Sequence, residues 1–237
     1  MTSGNVEESE VTKAYSWREV WSPTKWGAGD GKFGLTIVIL VMLFFFLMVA
    51  AFKSSTTYLV FFATDELGMS NSEAAIFSSV VSAAGTMGRA ISIGVASCVA
   101  IQTQFIVESF GMVFWIYLMA FWGQYDKVPY WICSFFTAFF RDPIWPSVMT
   151  WTDKYVVLFA IVVGLSDLAS KAADAIFGWV LGYMYTYISV NSIFYVSVLF
   201  GSLLCIEHVT MYIVAGKHGE RYKNDAIELK AVTMTVQ

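Results

Sequence analysis

Between Phe33 and Phe52 the chain runs for 20 residues without a charged side chain, and after Lys53 a further 11 pass before Asp65. Lipid offers backbone amides no partners, so an apolar run of roughly 20 residues is read as a helix crossing a membrane. A straight helix over all of 33–64 would measure about 48 Å at about 1.5 Å per residue, against roughly 30 Å for a hydrocarbon core. The segment must therefore tilt, protrude or break. The expected break is Lys53-Ser54-Ser55-Thr56-Thr57, whose hydroxyls can satisfy freed carbonyls.

The composition carries this requirement to the whole chain. Of 237 residues, 57% are hydrophobic and 14% charged, whereas soluble domains carry about 25% charged residues. Twenty Phe, 12 Tyr and 9 Trp beside 4 Pro and 17 Gly exclude a disordered or collagen-like chain. The length holds about six helical crossings with short loops and is too short for twelve. Cys98, Cys133 and Cys205 lie scattered without CxxC or Cys/His spacing, so neither a disulfide framework nor a metal site is expected. The net charge of −4 and the lack of a basic patch argue against nucleic acid as a partner. Residues 1–32 are polar, with Glu7, Glu8 and Glu10, and do not resemble a secretory signal.

Six spans are expected, with the first beginning near Phe33. The second runs from about Ala74 to Val99, behind a cap formed by Ser70-Asn71-Ser72-Glu73, and the third from about Ile106 to Trp122. The fourth, about Tyr130 to Thr152, is interrupted at Arg141-Asp142-Pro143 and should kink there and at Pro146. The fifth covers about Tyr155 to Tyr183 and the sixth about Ser192 to Ala215. The domain plan is thus a tail or linker over 1–33, a six-helix domain over 34–215 and a tail over 216–237. An even number of crossings puts both tails on one side. Lys13, Arg18, Lys25, Lys32, Lys217, Arg221, Lys223 and Lys230 make that side the cytoplasm.

The fifth span carries Asp167, Lys171 and Asp174, which at about 100° per residue share one narrow stripe continued by Gly178 and, more loosely, by Gly164 and Gly182. A charge at the bilayer centre costs about 2.5–3.5 kcal/mol, so this stripe belongs in a bundle interior or a wet cavity. It either lines a substrate or ion pathway or forms an Asp167–Lys171 strut with Asp174 left over to pair elsewhere. In the second span Ser78, Ser82, Gly85, Arg89, Ser92 and Ala96 form a seam of small and polar residues suited to close helix approach. Arg89 needs a carboxylate, and Asp174 and Asp142 are the candidates. Gly178-Trp179-Val180-Leu181-Gly182 is a GxxxG packing match. Beside Pro146, Trp145 and Trp151 are candidates to stack on a ligand ring. His208 and His218 stand apart, and no glycine-elbow nucleophile or phosphate loop is visible, so no enzyme is expected.

The order of these features resembles a known family. Tyr58-Leu59-Val60-Phe61, the cap before the second span, Gly88-Arg89-Ala90-Ile91-Ser92-Ile93 and Trp145-Pro146-Ser147 together resemble the C-terminal half of a major facilitator superfamily transporter. The likeness is nearest to the sodium-dependent glucose transporter-like branch (the major facilitator superfamily domain-containing protein 4 group), and covers roughly 34–215. It implies an all-α polytopic membrane protein whose six transmembrane helices form one half of a major facilitator fold. The implied activity is transport of a small polar solute, such as a sugar, by alternating access beside a second six-helix half or a second copy. Tyr58, Arg89, Trp145, Trp151, Asp167, Lys171 and Asp174 would then lie along the pathway, with Gly85, Gly88, Gly178, Gly182 and Pro146 shaping the helices around it. No cofactor is implied, and a sodium ion or a proton remains open as the coupling ion. The alternative is a six-span membrane protein, or a transporter fragment, that acts by binding rather than by transport.

Overall fold

The computed structural model describes residues 26, 31–53, 58–158, 160–218 and 220. Among them the chain is helical, with no strand: α1 (Gly31–Phe52), α2 (Leu59–Asp65), α3 (Asn71–Ala96), α4 (Ile101–Phe121), a 3-10 turn (Gly123–Tyr125), α5 (Lys127–Arg141), α6 (Ile144–Asp153), α7 (Ala160–Tyr187) and α8 (Ser192–His218). Four of these are long and apolar enough to cross a membrane: α1, α3, α4 with the turn that follows it, and α8. Expected spans four and five do not qualify. Span four is split into α5 and α6 at Asp142-Pro143, and span five, now α7, carries Asp167, Lys171 and Asp174 within its length.

The local chemistry accounts for the helix limits. Ser70 Oγ accepts from the Glu73 amide at 3.2 Å and Glu73 Oε2 accepts from the Ser70 amide at 3.1 Å, the reciprocal cap that starts α3. Gly68, at φ 62°, turns the chain into that cap in a conformation most side chains avoid. α1 stops at Phe52 and the helix resumes at Leu59, on either side of the expected break; residues 54–57 lie outside those described. α5 stops at Arg141 because Pro143 has no amide to donate and its ring excludes a continuous turn. The tails at 1–25 and 221–237, with most of the basic residues that set the expected orientation, lie outside the described residues.

α1 is the central helix and packs against α7 and α8. α5 lies between α3 and α4, and α4 also meets α8 and joins the two groups. Phe44, Phe45, Val41 and Ala51 of α1 are buried with Phe105 and Met112 of α4 and Leu204 and Met211 of α8. A second cluster gathers Phe62, Phe77, Tyr130, Phe177 and Phe194 from five helices. The outward faces are apolar too. Ile93 and Trp179 are 76% exposed and Ile76, Phe114 and Leu199 more than half, a surface suited to lipid rather than water.

The bundle has two distinct ends. At one, Lys127 Nζ reaches the Gly68 carbonyl and Glu73, and the Tyr185 hydroxyl donates to Asp65 at 2.8 Å. At the other, the Val157 amide donates to the Trp26 carbonyl at 2.8 Å, Lys154 reaches Glu220 at 3.3 Å, and the Phe33 and His218 rings meet at 4.2 Å. Both ends of the described chain therefore emerge at the same end of the bundle.

Candidate functional site

The expected pathway residues divide into two groups. On α3, Gly85 and Gly88 face the C-terminal part of α5 so closely that neither could carry a side chain unchanged: a Cβ at Gly88 would sit 2.0 Å from the Phe139 carbonyl oxygen, and one at Gly85 2.2 Å from Asp142 Oδ2. This approach places the Asp142 carboxylate between two guanidiniums. Arg141 donates from Nε at 2.7 Å and from Nη2 at 2.6 Å, while Arg89 lies at 3.2 Å. Asp142 and Arg141 are largely covered and Arg89 is 62% exposed, so the cluster carries one surplus positive charge that faces outward. Arg141 also lies over the Phe52 ring, 5.1 Å from its centroid, where its charge meets the ring's negative face.

Next along the chain from Phe52, Lys53 pairs with Asp174 of α7. The Tyr58 hydroxyl donates to the Gly178 carbonyl at 2.9 Å, and a Cβ at Gly182 would meet that hydroxyl at 2.8 Å. The missing side chain of Gly182 thus lets Tyr58 lie against α7, with Lys53 in ordinary contact range of Gly178. The partner of Asp174 is Lys53, and the partner of Arg89 is Asp142. The expected Asp167–Lys171 strut does not form among the described residues: both side chains are exposed on α7, without an ion pair between them.

Arg89, Ser92 and Ile93 of one motif and Pro146 and Ser147 of the other converge on a single groove, which holds about 320 Å³ and is completed by Gln104 and Thr150 among others. Trp145 is half-buried beside Phe45 at 4.3 Å. Trp151 cannot serve as a stacking platform, because it is 1% exposed and enclosed by Phe105 and Tyr155 in the core.

Four buried polar residues went unremarked as site candidates in the sequence. Gln104 and Glu108, one turn apart on α4, face Ser92 of α3. The Ser92 hydroxyl donates to Glu108 Oε1 at 2.8 Å, and Gln104 Nε2 donates to Glu108 Oε1 at 3.0 Å and to Ser92 Oγ at 2.5 Å. On α8, Glu207 is buried with Oε1 unpartnered, and His208 has neither ring nitrogen hydrogen-bonded and lies among Phe44, Phe105 and Phe110. A charged or imidazole side chain inside an apolar run is itself a signal, but the Ser92 that Gln104 and Glu108 face lies on another helix and leaves no periodic pattern.

Fold and site together define, among the described residues, an all-helical bundle with four helices long and apolar enough to span a membrane and charged groups set among its helices. No family model, curated protein or solved structure matches the chain.

Proposed function

We propose that this chain is one six-helix half of a secondary transporter that moves a small polar solute by alternating access. In this reading α5 with α6 forms one broken crossing and α7 another, so that six spans place both tails in the cytoplasm of a plasma-membrane protein. The observation that carries the proposal is the convergence of Gly88-Arg89-Ala90-Ile91-Ser92-Ile93 and Trp145-Pro146-Ser147 on one groove, where an exposed guanidinium stands among the Ser92 hydroxyl, the Gln104 amide and the Ser147 and Thr150 hydroxyls. Such donors and acceptors suit a solute that hydrogen-bonds through many groups, such as a sugar. Discontinuous helices near a binding site are the usual means by which transporters expose polar backbone at depth.

Asp167, Lys171 and the uncovered half of Asp174 need a polar neighbour within a membrane, and a second six-helix unit, either another chain or a second copy, provides one. A binding protein that does not transport is favoured by one feature only: Asp142 and Asp174 are both satisfied within the chain. Thermal unfolding of the purified chain against a panel of sugars and other small polar solutes, with and without sodium, separates the two. A transporter half shows saturable stabilisation by one solute, and Arg89→Gln weakens that binding by roughly tenfold to hundredfold, the range for a lost charged hydrogen bond. Absence of stabilisation by every solute, together with no uptake in vesicles, overturns the transport reading.

A further inference from the structure

We propose that a second site, a crevice between α3, α4 and α5, binds a lipophilic primary amine. The crevice holds about 320 Å³ and backs onto the Arg89 groove through Ser92 and Gln104. Its walls are Ile91 and Val95 from α3, Val107 from α4 and Phe139 and Phe140 from α5, and its one charged group is Glu108.

Glu108 is 5% exposed and Gln104 6%, so both are more than nine-tenths buried. The Ser92 hydroxyl and Gln104 Nε2 both donate to Glu108 Oε1, which leaves Glu108 Oε2 and Gln104 Oε1 as buried acceptors without a partner. No Lys or Arg pairs with Glu108 among the described residues: Arg89 and Arg141 are both committed to Asp142, Lys53 to Asp174 and Lys127 to Glu73. A buried carboxylate is normally matched by a cation, and the described residues place none beside Glu108.

The two open acceptors define the head of the ligand, and the walls define its body. A primary ammonium carries three N–H donors and a positive charge and no acceptor, which matches in kind and in sign what a carboxylate oxygen and an amide oxygen without donors require. An alcohol brings neither the charge nor enough donors, and a quaternary ammonium brings the charge without a donor. The apolar walls then take a hydrocarbon or aryl chain. Ile91, Val95 and Val107 are exposed on the outer surface of the bundle, so the crevice opens sideways, toward the bilayer, where an amphipathic amine concentrates. This site requires no transport activity and stands or falls separately from the Arg89 groove.

The test is thermal unfolding of the purified full chain in detergent, titrated with 2-phenylethylamine, with 2-phenylethanol and trimethyl(2-phenylethyl)ammonium as comparators. The amine raises the midpoint by several degrees in a saturable way, and the comparators do not. The shift disappears in Glu108→Gln and persists in Glu207→Gln, which removes the other buried unpartnered carboxylate. A shift that survives in Glu108→Gln, an equal shift from 2-phenylethanol, or none from the amine overturns the proposal. Should Glu108→Gln not be recovered folded, Val95→Trp, which fills the crevice from its exposed wall, is read in the same way.

Discussion

Asp142 and Asp174 are both carboxylates set among apolar helices, yet their surroundings assign them different weights. Asp142 is tucked against Gly85, takes two guanidiniums and is 14% exposed, whereas Asp174 takes one ammonium and is 52% exposed. Replacing Asp142 by Asn leaves Arg141 covered and uncompensated, and breaking a buried pair in this way costs about 3–5 kcal/mol, with the low end expected because Arg89 is exposed. Asp174→Asn leaves Lys53, itself 14% exposed, without its carboxylate, but that carboxylate is half-exposed and solvent screens the pair, so the loss is smaller, about 1–2 kcal/mol. Thermal unfolding of the two variants in the same detergent should therefore show a large fall in midpoint for Asp142→Asn and a small one for Asp174→Asn. Equal losses would show that exposure of Asp174 in the isolated chain does not weaken its pair with Lys53. The sequence narrowed Arg89 to two possible partners and could not choose between them, because that choice depends on which helix α5 approaches. The approach is set by Gly85 and Gly88, whose missing side chains have a meaning only once α5 is in place.

At the level of helices, the close contact of α3 with α5 predicts a sharp positional contrast among glycines. Gly88 has the Phe139 backbone where its Cβ would be, whereas nothing lies within 4 Å of a Cβ at Gly94, six residues further along α3. Gly88→Leu must push the two backbones apart, a repacking that costs about 1–3 kcal/mol or more. Gly94→Ala should instead be neutral or stabilising by up to about 1 kcal/mol, the helix-propensity difference between the two residues. Measuring folded yield and unfolding midpoint for both variants checks this, and a well-folded Gly88→Leu would mean that α5 does not press on α3 there. Features legible beforehand were those with a local cause: the Ser70–Glu73 cap and the stop before Pro143. Pairings across helices were not legible. The Asp167–Lys171 spacing suits a strut within one helix, but in the fold both side chains stand apart, and Lys53, expected only as part of a break, reaches across to Asp174. Trp151 lies near the prolines in sequence, and α6 turns it inward.

For the molecule as a whole, the contacts at the two ends of the bundle make sidedness testable with side chains already present. Cys98 is exposed and follows α3 at the end where Lys154 and Glu220 meet, whereas Cys133 is buried. In intact cells a membrane-impermeant maleimide should leave Cys98 unlabelled until the membrane is opened, while Asn71→Cys, at the opposite end, labels at once. Labelling of Cys98 from outside would invert the orientation proposed from the basic tails. The meeting of Phe33 with His218 has a further consequence, one of parity. A chain that leaves the bundle on the face where it entered can be continued from either terminus into another unit with an even number of crossings without changing sides. Addition of one crossing, or of any odd number, would carry that terminus to the other face and part the two tails.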